Sequence, residues 1–89
     1  MEAVYDIAGT EALIRMGKAG TAFIPCVSAI GHVSAEYAYL YPPGSPLIVP
    51  GERITEEVVR LLGWYLAEGY SVEGLKREGY IDVLINESI

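Results

Sequence analysis

The sequence is poor in the residues that build disulfides, metal sites and nucleic-acid surfaces. Its 89 residues include one cysteine, Cys26, and one histidine, His32. A single cysteine cannot form an internal disulfide, and one histidine without a second soft ligand at metal spacing does not make a zinc site. Six basic residues against twelve acidic ones give a net charge of -6, which argues against a nucleic-acid surface. That charge is compatible with a cationic ligand.

Long uninterrupted hydrophobic segments are also missing. Prolines interrupt the apolar stretches 21–30 and 37–50, so neither supplies the ~20 consecutive apolar residues of a membrane helix. The first residues, M-E-A-V-Y-D, lack the basic and apolar regions of a secretory signal, and we expect a cytoplasmic protein. Hydrophobic residues nevertheless make up 52% of the chain, which is high for a small free-standing domain. Part of this apolar surface is expected to face a partner.

Two helices are predicted from capping residues and apolar periodicity. Thr10 can cap a helix over about 10–18, which has a basic last turn and ends at a glycine-rich segment. Thr55 opens the second and main helix, over about 55–69, where apolar residues recur at helical spacing on one face. Gly69 then occupies the C′ position.

The strands are predicted from the alternation of apolar and polar residues, from β-branched content and from turn residues at their ends. Strands are predicted at 21–24, 32–41, 46–49 and 80–85. The segment 32–41 places Tyr37, Tyr39 and Tyr41 on one face, where they either line a ligand mouth or, as we favour, pack in the sheet. Pro43 and Gly44 suit the central positions of a type II turn. The fold class is α+β, a small and mostly antiparallel sheet with the main helix packed on a face and a shorter N-terminal helix beside it.

Three single residues have open interpretations at this point. Glu36 lies inside the predicted strand 32–41, where an acidic residue either pairs with a basic neighbour, as we favour, or faces water. Cys26 is interpreted as a small buried hydrophobe. Glu52 is interpreted, from its position alone, as preceding or capping the helix at Thr55.

A longer pattern carries more specific information. Residues 29–36 read A-I-G-H-V-S-A-E, and residues 41–55 read Y-P-P-G-S-P-L-I-V-P-G-E-R-I-T. This resembles the C-terminal region of the ornithine/lysine/arginine decarboxylase family, with the pattern A-x-G-R-I-S-A-E, a spacer, and Y-P-P-G-I-P-L-x-x-P-G-E. The resemblance covers about 10–74, and His32 and Ser45 depart from it. Its motif residues here are Tyr41, Pro42, Pro43, Gly44, Pro46, Pro50, Gly51 and Glu52.

The resemblance implies what is missing from this chain. Members of the family are large pyridoxal-phosphate enzymes of fold type I that decarboxylate basic amino acids to polyamine precursors. Their cofactor lysine lies in an S-x-H-K motif of a central domain, whereas Lys18 and Lys76 here follow glycine and leucine. The resemblance therefore implies that 1–89 is a single domain, the C-terminal domain of a larger decarboxylase. The cofactor belongs to the parent enzyme, and no catalytic, cofactor-binding or metal-binding residue is assigned in this chain.

Two functions from different classes follow. In the first, the domain docks on the catalytic domain and helps form the substrate entrance at a subunit interface of a homo-oligomer. Glu52 is then the candidate partner for the cationic end of the basic amino-acid substrate, since a carboxylate is a specific partner for an ammonium or guanidinium group. In the second, the chain is an independent acidic binding or oligomerisation module of the kind that senses polyamines. The Y-P-P-G and P-G-E elements favour the first.

Overall fold

The computed structural model describes residues 2–40 and 44–85. In chain order, the elements are β1 (Glu2–Ala3), α1 (Ile7–Arg15), β2 (Gly20–Pro25), a 3₁₀ turn (Cys26–Ser28), β3 (Ala38–Leu40), β4 (Ser45–Ile48), β5 (Glu52–Arg53), α2 (Glu56–Ala67), β6 (Val72–Glu73) and β7 (Tyr80–Ile85). The strands form three small antiparallel sheets, β1–β5, β2–β7 and β4–β3–β6. Two helices with small antiparallel sheets confirm the predicted α+β class.

The main helix, α2, forms where the sequence predicted it. The Thr55 hydroxyl accepts a hydrogen bond from the Val58 amide at 3.2 Å, which satisfies one of the free amides of the first turn. At the other end, Gly69 has a φ of +81° and lets the Tyr70 amide donate to the Tyr65 carbonyl at 2.9 Å. This is the hydrogen bond of a Schellman C-cap, so both predicted ends of α2 are confirmed.

The first helix begins earlier than predicted, at Ile7 and not at Thr10. The Asp6 carboxylate accepts a hydrogen bond from the Gly9 amide and acts as the N-cap. Thr10 therefore lies inside α1, where it is buried and its hydroxyl donates to the Asp6 carbonyl at 2.9 Å. Asp6 and Thr10 are both good N-cap residues, and the burial of Thr10 decides between them.

The long strand predicted at 32–41 is wrong, because within the described part, 32–40, only Ala38–Leu40 belongs to a ladder. Ser34 makes an isolated bridge to Val83, and the chain then bends. The Ser34 hydroxyl accepts from the Glu36 amide at 3.1 Å and donates to the Glu36 carbonyl at 2.7 Å. Local bonds of this kind compete with the hydrogen bonds of a sheet, and they end the extended segment here.

The other predicted strands are present as β2, β4 and β7. β4 returns antiparallel beside β3, with Ala38 opposite Ile48. Gly44, before β4, has a φ of +91°, whereas Tyr41, Pro42 and Pro43 lie outside the described residues.

The buried apolar side chains form two clusters. The larger consists of Ala29, Ala38, Ile48, Ile54, Leu62, Ile81 and Val83, and the smaller of Ala19, Val33 and Leu84. Successive residues of a strand point to opposite faces, so β7 contributes to both clusters and lies between them. Cys26 packs half-buried against the larger cluster. Burial, together with the negative charge of Glu36, raises the pKa of its thiol.

Within the described residues, no helix is long and apolar enough to cross a membrane.

Candidate functional site

The Pro50–Gly51 pair of the sequence motif forms a tight turn that positions Glu52. The Glu52 amide donates to the Val49 carbonyl at 3.2 Å, and Gly51 has a φ of +90°. Proline followed by a glycine with positive φ is the residue pair of a type II turn. The turn directs the chain from β4 into β5, and Glu52 is the first residue after it.

Contacts from distant parts of the chain support this turn. The Gly51 amide donates to the Ser34 carbonyl at 2.9 Å, and the Gly51 carbonyl accepts from the amides of Val4 and Tyr5, each at 2.9 Å. A Cβ atom at Gly51 would overlap the Tyr5 carbonyl oxygen and lie 2.5 Å from the Thr10 hydroxyl oxygen. Only glycine permits this close approach, which joins the turn to the segment that leads into α1.

A cleft of about 410 Å³ lies between the turn and the beginning of α1. Its lining residues are Tyr5, Asp6, Ile7, Ala8, Val49, Pro50 and Glu52. Among the described residues, the lining thus contains two carboxylates and no basic side chain, so its charge favours a cationic ligand.

Glu52 is partly exposed in this cleft. No hydrogen bond or ion pair joins its carboxylate to another of the described residues. The neighbouring Arg53 donates to the Gly31 carbonyl at 2.7 Å, and the cap of α2 comes from the Thr55 side chain. The carboxylate of Glu52 therefore remains accessible to a ligand.

The other motif glutamate, Glu36, has the opposite surroundings. It is only 3% exposed, and its two carboxylate oxygens accept hydrogen bonds from the backbone amides of Lys76 and Asp82. The basic partner predicted for Glu36 is thus replaced by two amides, while the Lys76 ammonium lies 3.8 Å from the Asp82 carboxylate. Glu36 holds the segment before β7 against β7 itself.

The described residues do not fit pyridoxal phosphate. Lys18 is exposed after α1, and the mostly exposed Lys76 lines a second cleft, of about 340 Å³, that also contains Glu11 and Glu36. A cofactor joined to Lys76 as a Schiff base would bring its phosphate group close to these carboxylates, which would repel it.

Residues 2–77 match the profile of the family described as Orn/Lys/Arg decarboxylase, C-terminal domain. The chain belongs to this family. Among its relatives, an arginine decarboxylase of Bacillus subtilis (strain 168) is 43% identical over 56 residues, which are 63% of this chain and 11% of that protein. An arginine decarboxylase of Bacillus anthracis is 37% identical over 54 residues, 61% of this chain and 11% of that protein.

Solved structures of the family have a similar fold. The constitutive lysine decarboxylase of E. coli superimposes with a TM-score of 0.68 at 27% identity, over 93% of this chain and 13% of that chain. The lysine decarboxylase of Francisella novicida gives a TM-score of 0.53 at 25% identity, over 84% and 12%. The chain thus spans about 11% of the length of the curated decarboxylases that it matches.

The structure brings together some of the motif residues and separates others. Pro50, Gly51 and Glu52 form one turn, whereas Gly44 and Pro46 lie at the opposite end of β4. The second wall of the cleft, residues 5–8, was not predicted from the sequence, because Thr10 was interpreted as the start of the helix. Asp6 is itself a good N-cap residue. It could have indicated a helix that starts at Ile7, and with it the second wall of the cleft.

Proposed function

We propose that this domain docks on the pyridoxal-phosphate catalytic domain of a decarboxylase for basic amino acids and forms part of its substrate entrance. In this proposal, Glu52 faces the distal cation of the substrate. One observation carries it: the Glu52 carboxylate has no partner among the described residues, yet a rigid Pro50–Gly51 turn holds it at a cleft that has no basic lining residue.

The chemistry of the substrate class supports this role. A basic amino acid carries an ammonium or guanidinium group several bonds from the carbon that loses carboxylate, and this group distinguishes it from neutral amino acids. A carboxylate recognises such a cation through charge-assisted hydrogen bonds, which are about twice as strong as neutral ones. Asp6 adds a second negative charge to the same cleft, although its carboxylate also caps α1.

The relatives support the same class of substrate, because those described above are arginine and lysine decarboxylases. The proposal also gives the parent protein of this domain pyridoxal-phosphate chemistry, a polyamine-forming role, a homo-oligomeric assembly and a cytoplasmic location. A reading frame that continues upstream into an S-x-H-K motif would support it directly.

The test replaces Glu52 by glutamine in the full-length decarboxylase that carries this domain. Glu52→Gln keeps the size of the side chain and removes its charge, so KM for the basic amino acid should rise. Losing a charge-assisted contact of about 1.5–3 kcal/mol lowers kcat/KM roughly 10- to 150-fold. For a neutral amino acid of the same length, kcat/KM should be unchanged, because that substrate has no cation to lose.

Glu57→Gln is the matched control, since Glu57 is an exposed glutamate of α2 and its replacement changes the net charge equally. It should leave both substrates unaffected. If Glu52→Gln leaves kinetics unchanged and lowers the melting temperature, Glu52 has a structural role and the proposal is wrong. Tight binding of a diamine by the isolated chain would instead favour the independent polyamine-sensing module.

A further inference from the structure

In the described part of the chain, β2 forms an unprotected edge of its sheet. Among the described residues it pairs with β7 alone. Soluble proteins usually protect such edges with charged side chains, bulges, internal prolines or very short strands. β2 has six residues and no charged side chain, its proline is the last residue, and Phe23 is 41% exposed. We call the side of Gly20–Pro25 that faces away from β7 the β2 edge.

The hydrogen-bonding groups of this edge follow from the register. Asp82 and Leu84 of β7 donate their amides to acceptors outside β2. Paired residues of antiparallel strands either exchange both of their hydrogen bonds or exchange none. The residues opposite, Phe23 and Thr21, therefore direct their amides and carbonyls away from β7.

These outward groups have no protein partner in the described part of the chain. No hydrogen bond to the amide or carbonyl of Thr21 or Phe23 comes from any other described element. The outward amides of β7, by contrast, are bonded to Glu36 and Val33. The two residues lie two positions apart, which is the spacing at which one edge offers pairing groups to another strand.

We propose that the β2 edge pairs antiparallel with the β2 edge of a second copy of this chain, around a two-fold axis at Ala22. Thr21 of each copy then lies opposite Phe23 of the other, and each of these pairs exchanges two hydrogen bonds. This register pairs the two residues that each present both a donor and an acceptor. The pairing does not depend on the role proposed for Glu52.

The charges around the strand favour a second copy as the occupant. The net charge is -6, but β2 itself is uncharged, so its side chains add no like-charge repulsion at the contact. Antiparallel pairing also brings Lys18, which precedes β2, towards the other end of the partner strand. Glu78 of the second copy lies near that end, on the β7 side of the strand, next to Gly79, whose carbonyl accepts from the Cys26 amide at 3.1 Å.

Cross-linking in the 89-residue chain tests the register. In a Cys26→Ala background, Ala22→Cys places two thiols at the axis, in a pair whose Cα atoms lie about 4.5 Å apart, within the range of a disulfide. Mild oxidation should give a covalent dimer. Phe23→Cys is the control, since the two cysteines would be offset by about 7 Å along the strands and could not bridge without movement. Preferential cross-linking of Phe23→Cys would overturn the proposed axis.

Sedimentation velocity over a concentration series tests the pairing without a cross-link. Thr21→Pro removes an amide that points away from β7 and leaves the β2–β7 ladder bonds in place, so it should weaken the dimer roughly 10- to 100-fold. Phe23→Lys places a charge on the same edge and should also weaken the dimer. Trp64→Lys, at a residue of α2 that is 51% exposed, is the matched control and should still dimerise.

Circular dichroism of each variant reports whether it is folded, and only folded variants are compared. A wild-type chain that stays monomeric throughout the series would overturn the proposal. The proposal would also be overturned if Trp64→Lys dissociated the dimer and Phe23→Lys did not, because the contact would then lie on α2.

Discussion

At the residue scale, Glu36 and Glu52 illustrate two different uses of a carboxylate. Both oxygens of Glu36 are occupied by backbone amides in a buried site, so this side chain holds the fold together. Glu52 is partly exposed and has no partner among the described residues. Burying a carboxylate is costly unless hydrogen bonds compensate it, and the contacts of Glu36 provide that compensation.

We predict that Glu36→Gln destabilises the domain. Glutamine has one acceptor oxygen in place of two, and its NH₂ group would face a backbone N–H that also donates. Leaving one buried amide unsatisfied costs about 1–3 kcal/mol, and each kcal/mol lowers the melting temperature of a domain of this size by roughly 4–8 °C. Thermal unfolding followed by circular dichroism measures the difference.

Glu68→Gln is the control for Glu36→Gln, because Glu68 is exposed at the end of α2. It should change the melting temperature little, since surface substitutions usually fall within about 0.5 kcal/mol. Equal melting temperatures for the two variants would show that the Glu36 bonds to Lys76 and Asp82 contribute nothing measurable.

At the scale of elements, the Pro50–Gly51 turn connects β4, β5 and the segment before α1. Its carbonyl at Gly51 accepts from two amides of that segment, and the absence of a side chain allows the contact with Tyr5 and Thr10. The turn therefore sets both walls of the cleft that contains Glu52.

We predict that Gly51→Ala is more destabilising than Gly44→Ala. Both glycines have nearly the same positive φ, +90° and +91°, so both variants have the strain of an unfavourable backbone conformation, about 1–3 kcal/mol. A Cβ at Gly44 meets none of the described residues within 4 Å, whereas one at Gly51 overlaps the Tyr5 carbonyl. Urea denaturation measures the unfolding free energy that each variant loses. The difference between the two losses gives the cost of the overlap with Tyr5. Equal losses would contradict the packing described for Gly51.

At the scale of the whole molecule, this chain is a small part of its relatives, covering about 11% of the curated decarboxylases. Its apolar surface agrees with that position. Large side chains including Val27, at 76%, and Met16, at 61%, are exposed. If the domain docks on a larger protein, that protein can bury such apolar side chains.

We predict that the isolated chain shows no decarboxylase activity and forms no specific adduct with pyridoxal phosphate. Lys18 is exposed and Lys76 shares its cleft with Glu11 and Glu36, so incubation with the cofactor followed by borohydride reduction should give only weak, distributed labelling. Mass spectrometry of the digested protein measures the occupancy of each lysine. A stoichiometric adduct at Lys18 or Lys76 would contradict this prediction and the assignment of the cofactor to another domain.

Local patterns were sufficient for those elements whose signals lie within the element itself. The cap at Thr55, the C′ glycine at Gly69 and the β-branched segment 80–85 determine α2 and β7, because each signal acts on backbone groups a few residues away. The family resemblance likewise depended on the order of residues alone, and it pointed to Glu52 before the cleft was known.

Tertiary structure decided what depends on distant residues. Glu36 accepts from an amide 46 positions away, and Thr10 is buried beside Gly51. Local signals allow the break at 34–36 and the start of α1 at Ile7, but these distant contacts select them over the continuous strand and the later helix start. The cleft beside Glu52 exists because Gly51 bonds to Val4 and Tyr5. Residue order determined which side chains are present, but hydrogen bonds and close contacts between separated segments determined which carboxylate is buried and which remains accessible.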